Sequence, residues 1–198
     1  MKQQILDKIE KLGGNIQRAN GATLPEIWQG ITFSHPLWTK DWEGYGLDKF
    51  YEEHQALYTT SQDTFYDNLL AHYFSDHEIP YGQDFFRSWL FTPFKVGSHD
   101  DGELDGLVEE EEIREVVKGA ELDFMCIFSS YGFPDHYFVC LTDPNPENPI
   151  VYSTDHEVYF QEIDNRGTLE DFLERYMTKD EFLQVAKKHI ESSLSSLS

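Results

Sequence analysis

Residues 123–160, DFMCIFSSYGFPDHYFVCLTDPNPENPIVYSTDHEVYF, contain three strand-like runs separated by two turn signals. The first two runs, at 124–128 and 137–141, are apolar throughout, so neither shows the alternation of a strand with one solvent-exposed face. A YGFP turn separates them, and the proline-rich run at 143–149 can continue neither a strand ladder nor a helix. The segment therefore predicts the centre of a sheet that is covered on both faces, which the chain re-enters at Ile150.

The two cysteines of the chain fall on these two apolar runs. If the intervening turn centres near 132–133, Cys126 faces Cys140 and Phe128 faces Phe138 across the hairpin. The cysteines are then either two small buried apolar side chains or a disulfide, and the first is preferred because nothing else indicates an oxidising compartment. No CxxC or Cys/His spacing occurs, so the cysteines predict no metal site.

The chain has 198 residues, of which 39% are hydrophobic and 15% aromatic, and this is enough to bury one sizeable core. Its N-terminus, MKQQILDKIEKLGG, spreads charges among the apolar residues, unlike the continuous apolar centre of a signal peptide. No segment approaches the length of a membrane span. We therefore expect one cytoplasmic domain, residues 1–198, with no membrane partner.

The chain is strongly acidic, with 15 Lys and Arg against 37 Asp and Glu and a formal net charge of −22. Residues 1–22 hold four bases and two acids, so the remaining 11 bases and 35 acids give the rest of the chain −24. Such a surface repels nucleic acid and anionic membranes and accelerates encounter with a basic protein. Simple solubility is the alternative explanation of the charge.

Apolar spacing around the central segment predicts several helices. They are expected at 2–13, where Gly13-Gly14 supplies a stop; near 25–30; as two helices between 47 and 74, broken at 59–61; at 109–118; from Thr168 to Tyr176; and at 178–191, where Thr178 and Glu181 form a capping box. Residues 84–90 fit a short helix or a strand, and 92–97 fit a strand that runs into a glycine turn. The tail SSLSSLS is expected to fray.

Eight acidic residues and no basic one occur in residues 99–112, which we name the acidic segment. They are Asp100, Asp101, Glu103, Asp105, Glu109, Glu110, Glu111 and Glu112. Counted from Asp101, oxygen ligands stand at places one, three, five, nine and twelve and a glycine at place six, which resembles an EF-hand calcium loop. Against this, Glu103 replaces the usual shorter side chain, and Pro93 and Gly97 interrupt the helix that should precede the loop. The segment is therefore either a calcium loop at 101–112 or an acidic edge that faces solvent or a partner.

Three sequences place carboxylates beside imidazoles, as acid–base catalysis or metal binding requires: 76–78 (DHE), 135–136 (DH) and 155–157 (DHE). Neighbours on a strand point to opposite faces, so we expect that Asp155 and His156 do not touch and that these histidines have structural or surface roles. No GxSxG, HExxH, Walker or dinucleotide-binding motif occurs. The sequence thus gives no positive support for an enzyme, and apart from the calcium alternative at 101–112 it indicates no cofactor or metal.

Three motifs follow one another in the central segment: 141–144 (LTDP), 149–152 (PIVY) and 154–157 (TDHE). Together with 94–102 (FKVGSHDDG), Leu24-Pro25-Glu26 and 168–173 (TLEDFL), they cover about residues 24–176. This order resembles the SUKH superfamily, which includes the Smi/Knr regulators of cell-wall synthesis and many bacterial toxin-immunity proteins. In that family, 94–102 corresponds to a strand with a glycine-rich turn, Leu24-Pro25-Glu26 to an early Leu-Pro motif, and 168–173 to a closing acidic helix.

The resemblance implies an α+β fold, in which a twisted, mainly antiparallel sheet is flanked by helices, and it implies a binding protein rather than a catalyst. The helices at 2–13 and 178–191 would pack on this single domain. The chain differs from the family pattern because it lacks an Asn-Gly step after Leu24-Pro25 and carries an enlarged aromatic helical region at 31–81.

From the resemblance and the charge together we expect a non-catalytic immunity protein, a monomer or weak dimer, that neutralises a cognate bacterial toxin such as a basic nuclease. Carboxylates on the inhibitor can occupy positions where such an enzyme holds phosphate, and charge complementarity selects the partner. The eight acids of the acidic segment are the expected contacts. The alternatives are a calcium-responsive module that uses the same segment and a regulatory scaffold of the same fold.

Overall fold

The structure, a computed structural model, describes residues 1–132 and 135–196. Its helices are α1 (Gln3–Lys11), α2 (Leu24–Gln29), α3 (Leu47–Thr60), α4 (Gln62–Tyr73), α5 (Glu110–Val116), α6 (Leu169–Leu173) and α7 (Lys179–Ser196). Its strands are β1 (Leu37–Thr39), β2 (Gln83–Phe91), β3 (Phe124–Ser130), β4 (His136–Cys140), β5 (Ile150–Thr154), β6 (Asp164–Thr168) and β7 (Tyr176–Met177). Phe133 and Pro134, half of the expected YGFP turn, lie outside the described residues, and so do Leu197 and Ser198.

The strands of the described chain form one seven-stranded sheet in the order β6-β5-β4-β3-β2-β1-β7, and every neighbouring pair is antiparallel. The three predicted runs are β3, β4 and β5; they lie side by side, with β3 in the middle of the sheet. The fold is therefore of the predicted α+β class, with an antiparallel sheet flanked by helices.

Both faces of β3 and β4 are buried, which explains why neither strand alternates apolar and polar residues. On one face, Met125 and Val139 belong to a core that includes side chains of α1, α2 and α6. On the other face, Phe124 and Phe138 share a core with buried residues between 104 and 117, from the connection between β2 and β3. The acidic segment is thus part of the layer that covers the centre of the sheet.

The predicted register between β3 and β4 is wrong. Cys126 pairs with Phe138, and Cys140 pairs with Phe124, so the two cysteines are not cross-strand partners. The register shifts between Cys126 and Phe128, because a bulge there adds Ile127 to one strand only. Both cysteines are buried and free, as in the preferred interpretation.

The aromatic region contains the two predicted helices, α3 and α4, and the chain is extended at the break, Ser61. These helices and α7 surround the indoles of Trp38 and Trp42. The Trp42 ring stacks on Phe182 of α7 with a centroid distance of 4.6 Å. This aromatic core packs at the β1 end of the sheet, next to the loop that connects β1 to α3.

The C-terminal part differs from prediction in two places. The helix capped by Thr168 ends at Leu173 and not at Tyr176, because Tyr176 pairs with Thr39 as part of β7. The capping box of Thr178 and Glu181 is present, with the Thr178 N–H donating to Oε2 of Glu181 at 2.7 Å. The helix that follows continues to Ser196 instead of ending at 191.

Two expectations next to the acidic segment are also corrected. Residues 92–97 form turns, with the Lys95 N–H bonded to the Thr92 carbonyl and the Ser98 N–H to the Lys95 carbonyl, while the strand is β2 before them. The helix expected at 109–118 is the shorter α5, because Val117 already has extended backbone angles.

Candidate functional site

The acidic segment turns one side to the sheet and the other to solvent. Leu104, Val108 and Ile113 are buried in the core on one face of the sheet, together with Phe91 and Phe138. The carboxylates lie between these apolar anchors, and most of them are exposed. A stretch with this alternation folds as a cover whose outer surface is negatively charged.

Several of these carboxylates hold the local backbone in place. Oδ2 of Asp100 accepts from the Thr92 N–H at 3.0 Å, and Oδ2 of Asp101 accepts from the Gly97 N–H at 2.7 Å. Glu109 and Glu112 form a reciprocal capping box at the start of α5, in which the Glu109 N–H donates to Oε2 of Glu112 at 3.0 Å. Glu110 forms an ion pair with Arg114. These contacts fix the conformation of the segment before any partner arrives.

The other three carboxylates, Glu103, Asp105 and Glu111, are exposed and accept no hydrogen bond from the residues that the structure describes. Two apolar side chains are exposed on the same stretch of chain: Val96 is 93% exposed and Leu107 is 55% exposed. The surface between β2 and α5 therefore combines available carboxylates with apolar side chains.

The structure uses two residues of the EF-hand-like pattern for other purposes, since Asp101 accepts from Gly97 and Glu112 caps α5. The stretch before the pattern forms turns and not a helix. Within residues 1–132 and 135–196, no group of three or more His, Cys, Asp and Glu side chains is arranged to hold a metal ion.

A second candidate site, which the sequence did not predict, is a pocket of about 640 Å³ at the other end of β2. We name it the Asp84 pocket. Its walls come from the loop between β1 and α3, from the residues before β2, from the adjoining ends of β3 and β4, and from α7. At about 3.3 Å per strand residue, Asp84 and Phe91 stand roughly 20 Å apart, so the pocket and the acidic segment are separate surfaces.

A buried polar cluster forms the floor of the Asp84 pocket. Asp84 is 1% exposed and accepts a 2.6 Å hydrogen bond from the hydroxyl of Tyr176, while Nη2 of Arg175 lies 3.9 Å from its carboxylate. The guanidinium of Arg175 lies over the ring of Tyr137 at 4.9 Å. Burial raises the pKa of Asp84, and the neighbouring Arg175 and Tyr176 oppose that shift. Burial would lower the pKa of Arg175, but Tyr176 and Asp84 offset it and leave that pKa above its usual value.

The mouth of the pocket is aromatic and acidic. The rings of Tyr45 and Tyr81 meet edge to face at 5.0 Å, and each residue is about half exposed. Tyr81 has a φ of 64°, a left-handed conformation that is uncommon for any residue except glycine and that tends to occur at functional sites. Asp41 and Glu43 stand on the rim and form no hydrogen bond or ion pair through their side chains within the described part of the chain.

The carboxylate–imidazole pairs do not assemble into one site. His156 Nδ1 lies 3.6 Å from Oδ1 of Asp155, contrary to the expectation that they would not touch, because β5 ends at Thr154 and both follow it in a turn. His136 is half-buried, and its Nδ1 has no partner among the described residues. Burial lowers the pKa of His136, and so do the nearby Arg87 and His156.

Comparison with protein-family models, with curated proteins and with solved structures finds no match to this chain. The resemblance to the SUKH superfamily therefore stays a prediction that rests on the motifs alone. Among the residues that the structure describes, no helix has both the length and the apolar composition that crossing a membrane requires.

Proposed function

We propose that the chain is a non-catalytic protein-binding module of the immunity type, and that it neutralises a basic partner through the acidic segment. The observation that carries the proposal is the exposure of Val96 and Leu107 on the same connection between β2 and α5 that presents the available carboxylates of Glu103 and Asp105. Protein interfaces combine apolar contacts with charged ones, and this surface presents both.

The rigidity of the segment supports the same proposal. Capping by Asp100, Asp101 and Glu112 fixes the backbone, and Leu104 and Val108 anchor it in the core. A partner that binds this surface therefore loses little free energy to the ordering of a loop. Pre-organised carboxylates can occupy the positions of substrate phosphates in a nuclease, which is why a basic toxin of that class is the proposed partner.

Affinity capture from the cells that express the chain tests the proposal. The bait is used in three forms: the natural chain, an edge variant with Asp101→Asn, Glu103→Gln and Asp105→Asn, and a control variant with Glu52→Gln, Asp63→Asn and Asp67→Asn. The control removes the same three charges from exposed positions on α3 and α4. We expect one basic protein to be recovered with the natural chain and the control and lost with the edge variant.

The captured protein is then purified, and its activity is assayed with and without the chain. Inhibition at equimolar concentration supports the immunity function. A partner that binds without losing any activity would leave a regulatory scaffold as the better description. Equal recovery with the edge variant and the control would show that the acidic segment is not the binding surface.

A further inference from the structure

We propose that the Asp84 pocket binds a guanidinium cation. This inference concerns a different surface from the acidic segment and does not depend on whether that segment binds a partner. Nothing in the sequence motifs pointed to it, because the residues of the pocket come from stretches of chain far apart in sequence.

The charge of the pocket selects a cation. Of the described residues that line it, five carry carboxylates and Arg175 carries the one guanidinium. Arg175 lies against the carboxylate of Asp84, and His189 lies 3.2 Å from Oδ1 of Asp48, so these two pairs satisfy one another. Asp41, Glu43 and Asp135 remain, and because burial raises the pKa of Asp135, the excess of negative charge comes from Asp41 and Glu43. An anionic ligand would be repelled at the rim.

The shape and the walls of the pocket favour an organic cation over a metal ion. A volume of about 640 Å³ is far more than a metal ion fills, and the described chain offers no group of three ligand side chains arranged for one. The ring of Tyr45 at the mouth is about half exposed and meets Tyr81 edge to face, so it offers a surface on which a flat cation stacks. Asp41 and Glu43 stand on the same rim as acceptors that no group in the described chain occupies.

A guanidinium suits this arrangement better than an ammonium does. It is planar, it stacks on aromatic rings, and it donates two parallel hydrogen bonds to a carboxylate. The floor of the pocket already contains one stacked guanidinium, because Arg175 lies over Tyr137 at 4.9 Å and over Tyr176 at 5.5 Å, with its Nη2 3.9 Å from the Asp84 carboxylate. The pocket would thus hold a second guanidinium above the first, between the tyrosine pair and the rim carboxylates.

Isothermal titration calorimetry with the full chain tests the proposal with four probes. They are agmatine, the capped peptide acetyl-Gly-Arg-Gly-amide, and the same peptide with lysine or with citrulline, a neutral isostere, in place of arginine. We expect agmatine and the arginine peptide to bind with a Kd of about 1 mM or tighter. The lysine and citrulline peptides should bind at least about tenfold more weakly, because neither offers a planar charge.

Variants locate the binding site. Tyr45→Ala should weaken binding of the arginine peptide about tenfold, and it keeps the backbone carbonyl that accepts from the Tyr73 hydroxyl at 3.0 Å. Asp41→Asn combined with Glu43→Gln should weaken it by at least as much. Glu52→Gln combined with Asp63→Asn, which removes two charges from α3 and α4, should leave it unchanged, and so should the edge variant of the acidic segment. Thermal melts of each variant confirm that it is folded.

The relative affinity of the two arginine probes identifies the source of the cation. Tighter binding of the peptide points to an arginine side chain of a polypeptide, and tighter binding of agmatine points to a small free guanidine; both support the proposal. It is overturned if the lysine or citrulline peptide binds as tightly as the arginine peptide, if neither guanidinium probe binds at 10 times the expected Kd, or if the rim variants bind like the control.

Discussion

The hydroxyl of Tyr176 on β7 donates a hydrogen bond of 2.6 Å to Oδ2 of Asp84 on β2, although β1 lies between the two strands. Both residues are almost fully buried. The bond therefore joins the C-terminal strand to the second strand across the sheet. It also gives the buried carboxylate of Asp84 a hydrogen-bond donor, which offsets part of the free-energy cost of removing that group from water. The Asp84 pocket depends on this contact, since Asp84 and Arg175 form its floor.

Loss of that hydroxyl should destabilise the protein. We expect Tyr176→Phe to lower the free energy of unfolding by about 1.5–3 kcal/mol, the range for a hydrogen bond to a charged group. The measurement is equilibrium unfolding in urea at pH 7. Tyr152→Phe is the matched control, because the Tyr152 hydroxyl accepts a hydrogen bond from the neutral Lys118 N–H at 3.3 Å, and its loss should cost about 0.5–1.5 kcal/mol. Equal losses would mean that the Asp84 contact has no special weight.

His136 should reduce stability in acid. Burial lowers its pKa, so the native state favours the neutral imidazole, while the unfolded chain takes up a proton as the pH falls through about 6.5. The free energy of unfolding therefore falls as the pH drops from about 6.5 to the lowered pKa of His136. Above pH 6.5 the imidazole is neutral in both states, and the effect is absent. His136→Phe keeps an aromatic ring between Trp89 and Tyr159 and removes the proton site.

Melting curves at pH 8 and pH 5.5 check this. The Tm of His136→Phe, relative to the natural chain, should be higher at pH 5.5 than at pH 8. Val139→Ala, which creates a cavity in the same strand without changing a titratable group, should be destabilised equally at both values. If the two variants showed the same pH dependence, His136 would not be the source of the effect.

The two thiols should be unreactive in the folded protein. Cys126 and Cys140 are buried, and burial raises the pKa of both, so little thiolate forms and reagents cannot reach it. With an aromatic disulfide reagent we expect no labelling of the native chain within minutes and labelling of both thiols in guanidinium. A Val96→Cys variant should label at once, because Val96 is almost fully exposed. Rapid labelling of the natural chain would contradict the described packing.

Two substitutions of Glu112 separate a helix cap from a calcium ligand. Glutamine can still accept from the Glu109 N–H, so Glu112→Gln should keep the stability of α5, whereas Glu112→Ala should lower it by about 1 kcal/mol. Amide hydrogen exchange in residues 109–113 reports the difference. We also expect no change in Tm when calcium is added. A calcium-dependent rise in Tm that Glu112→Gln abolishes would instead support the calcium-responsive module.

The sequence predicts the centre of the fold well because β3 and β4 contain uninterrupted apolar runs, and because turn residues, among them glycine and proline, separate β3, β4 and β5. It does not predict their register, because the bulge at Ile127 leaves no mark in an apolar run. It predicts a strand at 92–97, where the chain forms turns, since an exposed Val96 looks the same in sequence as a buried one, and it leaves 84–90 undecided between a helix and the strand that β2 forms.

The Asp84 pocket could not be predicted from the sequence for a similar reason. Asp84 is one of 37 acidic residues, and only its burial against Tyr176 and Arg175 distinguishes it. The sequence feature that could have drawn attention to the pocket is the occurrence of tyrosine next to glycine at 44–46 and at 81–82. Gly44, Gly46, Tyr81 and Gly82 all have positive φ angles. Such pairs mark turns in general, and nothing in the sequence brings these two together.

The association rate between the chain and its captured partner, measured by stopped flow as a function of salt, tests the central claim most directly. Between about 0.01 M and 0.15 M ionic strength the Debye length falls from about 30 Å to about 8 Å, and the rate for the natural chain and for the Glu52/Asp63/Asp67 control should fall at least about tenfold. The edge variant should be slower at low salt and less dependent on it. If the edge variant and the control gave the same rates at every salt concentration, the acidic segment would not be the surface that attracts the partner.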